Sequence, residues 1–267
     1  PGLSINIAPH APYSVTAEAL QASMRLAEEL DTTWQIHLSE TEEERQNAIK
    51  EFGCSPVEYL AKLGCLNERT IAVHCVALSD RDIGLLAESG ASVVHCPVSN
   101  MRLGCGASPV VKLLKGGINV ALGTDGAASA CSLSMFEQMR TAGLIAKGFS
   151  QDPTELTVNQ IIRMATINGA NALKLHCDVG SLAVGKLADL AVIDMSQLVT
   201  MPVLDVLSNV IYAVEAQCVH QVWVSGSLVA NIQQEKLLRP DRGKLLTKSN
   251  IMSWQNRVCE ILRDDFN

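Results

Sequence analysis

Six histidines are spread through the 267 residues, and four of them stand at or just past the ends of short apolar runs. His10 follows Ile5-Asn-Ile-Ala8, His37 lies in Trp34-Gln-Ile-His37-Leu-Ser-Glu40, His74 in Ile71-Ala-Val-His74-Cys75, and His95 in Val93-Val-His95-Cys-Pro97. A carboxylate takes the corresponding place in Asn119-Val-Ala-Leu-Gly-Thr-Asp125-Gly-Ala-Ala-Ser129. Imidazoles and carboxylates gathered at one end of a sheet can bind a divalent cation or move protons. Singly they carry little weight. A buried histidine is more often a hydrogen-bonded core residue, and an Asp-Gly pair often caps the helix that follows. A series of them at successive strand ends is a site.

The elements that must position these groups repeat at regular intervals. Apolar runs at residues 5–8, 34–38, 70–74, 91–94 and 118–122 predict strands, and they are separated by segments with helical spacing. Residues 15–30 place Ala19, Leu20, Met24, Ala27 and Leu30 on one face, with Ser14 or Thr16 available as the N-cap. Thr41-Glu-Glu-Glu-Arg45 puts acid at a helix start, where the dipole favours it and a solvated first turn is the ordinary outcome. Further helices are expected at 56–63, 83–88 and 109–115. Five strands alternating with helices about every 30 residues are the pattern of right-handed parallel βαβ units, whose carboxyl edge collects the chemistry. The five strands should be adjacent in chain order, ending near Ala8, Leu38, His74, His95 and Gly123. Helices follow at 132–147 and 157–173. From Gly180 the text turns strand-like, with Gly-Ser, Gly-Lys and Ser-Gly as turns, and residues 244–265 predict an amphipathic helix carrying Ile251, Trp254, Val258 and Leu262.

Composition narrows the class. With 48% hydrophobic and 18% charged residues, the chain is an α/β protein of one large domain or one plus a smaller one. A net charge of −7, with 4% aromatics and no basic run, argues against nucleic acid and against an anionic membrane surface, and favours a small-molecule substrate. Nine cysteines without a C-x-x-C pair suggest reduced, mostly buried thiols in a cytoplasmic protein. No apolar run is long enough for a transmembrane helix, and no leader is expected.

Taken in order, Pro9-His-Ala-Pro-Tyr13, His37-Leu-Ser-Glu40-Thr, His74-Cys, His95-Cys-Pro-Val-Ser-Asn100 and Gly123-Thr-Asp-Gly-Ala-Ala-Ser129 resemble the amidohydrolase superfamily. The likeness is nearest to its 5-methylthioadenosine/S-adenosylhomocysteine deaminase and triazine chlorohydrolase branch. Gly180-Ser-Leu-Ala-Val-Gly-Lys186-Leu-Ala-Asp189 resembles that family's entry into its C-terminal β-sandwich. The resemblance implies a metal-dependent (β/α)₈ TIM barrel, here only strands 4 to 8 in residues 1–178, followed by a small β-sandwich segment and terminal helix in 179–267. The family's His-x-His pair, which supplies two metal ligands from the first barrel strand, occurs nowhere in this sequence. The chain is therefore expected to be the C-terminal part of a larger enzyme and inactive alone.

The resemblance also assigns roles. His37 and Asp125 would bind one divalent metal, Zn²⁺ first and Fe²⁺ second. Asp125 would also take the proton from attacking water, Glu40 would protonate a ring nitrogen as general acid, and His74 would orient the water and the tetrahedral centre. His10 would contact the nucleoside. Ser129 either meets the substrate or caps a helix, and the Cys-Pro-x-Ser-Asn sequel of His95 equally suits a rigid turn. His176 and His220 lie outside the barrel pattern. The implied reaction is hydrolytic deamination of an adenine nucleoside. Hydrolysis of a triazine or other heteroaromatic ring is the alternative, and a catalytically silent scaffold protein the reading from another class. Where related deaminases continue with paired asparagines and Asp-Met, this chain has Ala130-Cys-Ser-Leu-Ser-Met135, a change that bears on substrate choice. A homo-oligomer, most simply a dimer, suits such a fold.

Overall fold

The apolar runs pair as a parallel sheet whose one face is packed with helices. The computed structural model, which describes residues 4–231 and 236–237, places β1 (Trp34–Leu38), β2 (Thr70–His74), β3 (Ser92–His95) and β4 (Asn119–Leu122) side by side in that order. Trp34 pairs with Thr70, Val73 with Val94 and His95 with Leu122, so all four strands end at the same edge. The expected strand at residues 5–8 is reduced to a single parallel bridge between Ile7 and Trp34. The cause is local. Ile7 donates to the Thr33 carbonyl and accepts from Gln35, but the next donor in that ladder would come from Pro9, which has none.

Between the strands lie α1 (Ala17–Glu29), α2 (Glu42–Phe52), α3 (Pro56–Lys62), α4 (Asp80–Ser89), α5 (Pro97–Arg102) and α6 (Val110–Lys115). After β4 come α7 (Ala127–Ala130), α8 (Met135–Ser150), α9 (Val158–Ala165) and α10 (Ile167–Ala172). Thr16, Thr41, Ser55 and Ser79 each accept a backbone N–H at a helix start, which is why these helices begin where the side-chain pattern says. Trp34, Ile36 and Leu38 of β1 alternate inward to meet Leu20, Met24, Ala72, Val93 and Val120 in one core, while Gln35 and His37 stay on the other face. Each such fully buried large side chain contributes about 1.5–3 kcal/mol relative to exposure. Gly123, at the end of β4, is required by space: a Cβ there would come within 2.7 Å of Val94 Cγ1 and 3.2 Å of Cys96 Sγ.

The described residues divide into two compact units, one within Pro1–Ser181 together with Val210–Tyr212, the other from Leu182–Asn209 and from Ala213 onward. The second unit holds an antiparallel sheet of β5 (Leu190–Ile193), β6 (Val219–Val224), β7 (Ser227–Asn231) and β8 (Lys236–Leu237). Ser225 and Gly226 both have positive φ, 49° and 76°, as a tight hairpin between β6 and β7 demands. The helix expected at residues 244–265 lies outside the described residues. Cys54, Cys65, Cys75, Cys96 and Cys218 are buried free thiols, whereas Cys131 and Cys177 are exposed. Among the described residues no helix is long and apolar enough to cross a membrane.

Candidate active site

Strict alternation would not bring His74 to the site. In register His74 pairs with Leu38, whose side chain belongs to the helix-packed core, so a regular strand would send the imidazole the same way. His74 instead has φ +74° and Cys75 +49°, in the left-handed region that non-glycine residues avoid. The ring is thereby turned to stack on His37 of the opposite face, with centroids 5.5 Å apart and planes 21° from parallel. Ser39 and Asp125 carry the same signature at the ends of β1 and β4, with φ of 51° and 60°. Non-glycine residues in the left-handed region also occur elsewhere in the chain, but Ser39, His74, Cys75 and Asp125 share the edge where the sequence places its polar residues.

Each of these side chains is held by a specific partner. His37 Nδ1 donates to the His10 carbonyl at 2.8 Å, and the His37 backbone N–H donates to the same oxygen at 3.0 Å. A carbonyl can only accept, so the neutral ring keeps its lone pair on Nε2, the arrangement a metal-binding histidine needs. The His10 ring lies 5.2 Å from that of His37 and 5.6 Å from that of Tyr13, and its Nδ1 is 2.6 Å from Ser14 Oγ. His74, fully buried, has Nδ1 2.8 Å from Asn100 Oδ1, which leaves Nε2 facing Glu40 Oε2 at 3.8 Å. Glu40 is fixed through its main chain by Glu44, whose two carboxylate oxygens accept the N–H groups of Ser39 at 2.9 Å and Glu40 at 2.7 Å. The acidic helix start is thus only partly a solvated turn. Glu42 and Glu43 are exposed, but Glu44 is half-buried, and burial raises its carboxyl above the ordinary range against those hydrogen bonds.

Asp125 accepts Ser99 Oγ–H on Oδ2 and the Gly126 N–H on Oδ1, both at 2.6 Å. Burial pushes its carboxyl up, but these two bonds and the nearby His74 and His37 outweigh it and hold the group below the usual carboxylate range. Ser129 is the third residue of α7, which is capped by Gly126; its carbonyl takes a bond from Arg102 at 2.5 Å. Glu40 also borders a cleft of about 540 Å³ lined by Tyr13, Thr41, Glu43, Glu44, Asn47 and Glu51.

His95 is a different case. It stays on the helix side with Val93 and Leu122, lining a cavity of about 320 Å³ formed largely by α6 and α8. Burial, with a smaller push from His74, lowers its imidazole to about 3, and its Nδ1 has no hydrogen-bond partner among the described residues. Its Cys-Pro-Val-Ser-Asn sequel is not a turn but a helix start, with Pro97 as the first residue of α5. That helix also carries two positioning residues given no role from sequence, Ser99 for Asp125 and Asn100 for His74. Their signal was the motif itself, read as shape rather than as hydrogen-bond donors and acceptors.

The donor set suits a divalent ion in part. His37 offers a free Nε2, and the Asp125 carboxylate, with about four lone-pair sites, retains accepting capacity after its two bonds. Among the described residues, no group of three or more His, Cys, Asp or Glu side chains is arranged to hold a metal by itself.

The model of the amidohydrolase family matches residues 1–229. The chain is 44% identical over 258 residues to the 5-methylthioadenosine/S-adenosylhomocysteine deaminase of Teredinibacter turnerae, covering 97% of this chain and 58% of that protein. Among solved structures it is similar to an adenosine deaminase from Xanthomonas campestris with bound zinc, at 39% identity and a TM-score of 0.87, over 95% of this chain and 57% of the other. A triazine hydrolase from Arthrobacter aurescens superposes with a TM-score of 0.79 at 25% identity, over 85% and 50% of the two chains. The chain thus spans little more than half the length of the relatives it matches.

Proposed function

Because the chain belongs to the amidohydrolase family, we propose that it forms the acid–base half of a metal-dependent deaminase acting on an adenine nucleoside such as 5-methylthioadenosine or S-adenosylhomocysteine, yielding the inosine analogue and ammonia. The observation that carries this reading is the strained turn of His74 onto His37, which sets an imidazole and the Glu40 carboxylate side by side at one sheet edge. Strain at a strand end persists only where its surroundings enforce it, and here Asn100 does so from a second element.

His37, through Nε2, and Asp125 would hold the divalent ion, with Zn²⁺ suited to an imidazole–carboxylate set and Fe²⁺ the second candidate. When bound, such an ion acidifies water to a pKa of ~7 and so makes a nucleophile available at neutral pH. The remaining steps belong to the protein. Asp125, kept ionised by Ser99 and the Gly126 N–H, takes the proton that water gives up as it attacks the amino-bearing ring carbon. Glu40 delivers a proton to the adjacent ring nitrogen, so that no anion builds up on the purine. His74 Nε2, presented by the bond at Nδ1, orients the attacking oxygen. His10, edge-on to the rings of both His37 and Tyr13, would lie where a nucleoside passes, and Ser129 would be the substrate contact nearest the altered Ala130–Met135 stretch. The tetrahedral adduct then loses ammonia, the amino group leaving with the proton that Asp125 took up while the proton of the new hydroxyl returns to Glu40. Water has added and the C–N bond has broken, with no redox partner required.

With two donors from the described residues, where zinc sites of this kind use three or more, the chain alone is proposed to be inactive. The test is ammonia release from 5-methylthioadenosine and S-adenosylhomocysteine by the chain alone and by the chain co-expressed with the N-terminal segment that its relatives carry, each supplied with Zn²⁺ or Fe²⁺. Release by the joined form alone is the expected result. A joined, metal-loaded form that releases chloride from a chlorotriazine but no ammonia from either nucleoside would replace this reading with the triazine one, and one that turns over neither would leave a silent binding protein.

A further inference from the structure

The loop between α5 and α6 reaches across the sheet edge to Glu40, and nothing in the reaction above uses it. Cys105 Sγ lies 3.5 Å from Glu40 Oε1, within hydrogen-bonding distance for a thiol donor, although 65 residues separate the two. The approach is built rather than incidental. The Cys105 N–H donates to the Asn100 carbonyl at 2.8 Å, and Ser108 Oγ donates to the Cys75 carbonyl at 2.8 Å, which ties the loop to the turn that follows His74. Gly104 and Gly106 have φ of 72° and 104°, conformations that L side chains rarely adopt, and a Cβ at Gly106 would come within 3.3 Å of Val76 Cγ1. Asn100 therefore serves both sides of Glu40, orienting His74 through its side chain and Cys105 through its main chain.

We propose that Cys105 is a positioning residue for Glu40, its thiol holding Oε1 while His74 faces Oε2, so that the carboxyl is presented to the substrate in one rotamer. The proposal rests on the deaminase reading for its meaning in turnover, but the contact itself does not. Desolvation first, and then the Glu40 charge, raise the Cys105 thiol to about 11, so it is a protonated donor at neutral pH. The step is a hydrogen bond only; no bond to sulfur forms or breaks.

Two measurements test it. In the nucleoside-deaminating form, Cys105→Ala should lower kcat about three- to tenfold with KM and melting temperature nearly unchanged, and Cys105→Ser should recover most of the loss, as expected for the removal and restoration of one hydrogen bond near the reacting atoms. In the chain as it stands, Glu40→Gln should speed alkylation of Cys105 by iodoacetamide several-fold, since an adjacent carboxylate disfavours the thiolate, while exposed Cys131 in the same sample is unaffected. Peptide mass spectrometry resolves the two sites. Equal Cys105 alkylation in both proteins, or a Cys105→Ala variant with unaltered kcat, overturns the proposal. Faster alkylation in a protein that deaminates no nucleoside would uphold the Cys105–Glu40 pair and count against the deaminase reading alone.

Discussion

His74 and His95 end neighbouring strands, each is followed by cysteine, and each is buried to within 1% exposure, yet they occupy opposite faces of the sheet. At the β2 end the backbone accepts a positive φ, the ring crosses to the open face, and Asn100 fixes its tautomer. At the β3 end the backbone stays regular, alternation holds, and the imidazole is buried among helices with its Nδ1 unpaired among the described residues. Identical residue types at identical strand positions thus become a tethered site residue and a desolvated core residue. The difference is made by backbone conformation and by one amide.

Substitutions can break that contrast or sharpen it. The largest effect should come from the group His74 faces: in the nucleoside-deaminating form, Glu40→Gln should keep bound metal while turnover falls on the order of 10³-fold, as removal of a general acid does. Metal analysis beside an ammonia assay separates the two, and wild-type turnover would remove Glu40 from the acid role. His74→Ala should cost about 10²-fold in kcat. If His95→Gln cost as much, the two histidines would not differ in function. Asn100→Ala should lose about tenfold, mainly in kcat, because the ring of His74 survives but its tautomer is no longer enforced. His95→Gln itself should alter turnover by no more than about twofold.

Its effect should appear in acid stability instead. The unfolded chain takes up a proton at an ordinary histidine pKa near 6.5, whereas the folded imidazole waits until about 3. The unfolded state therefore binds more protons in that window, so stability present above the upper value is lost as pH falls, by at most about 1.4 kcal/mol per pH unit. Urea midpoints of the wild type should fall more steeply between about pH 7 and about pH 5 than those of His95→Gln. Parallel slopes would mean that the folded His95 takes up its proton at the same pH as the unfolded one, and that burial does not lower it.

The order of elements and the edge that gathers the candidate site residues were legible because strand ends, caps and apolar spacing are local properties. Thr16, Thr41, Ser55 and Ser79 cap the helices whose side-chain pattern they precede, and the runs at His37, His74, His95 and Gly123 pair in chain order. The single bridge at Ile7 was concealed by a property of Pro9 that matters only once a partner strand is in register. What stayed hidden in the site depends on contacts between distant segments. Glu44 looked like one acid among three in a helix start, and only the fold shows it gripping the Glu40 backbone. Ser99, Asn100 and Cys105 could not be given partners, because each acts on a residue at least 26 positions away. The turn of His74 has no sequence signature, since non-glycine residues with positive φ are exceptions to the pattern being read.

The loop that carries Cys105 is held where it is by its own amide, by Ser108 and by two glycines, none of which involves the side chain at position 105. That position can therefore change residue without the loop changing place. In an evolving lineage such a site acts as a dial: serine, alanine or a larger group can be tried beside Glu40 while the scaffold stays constant, and the resulting variants would differ in rate or substrate range long before they differ in fold.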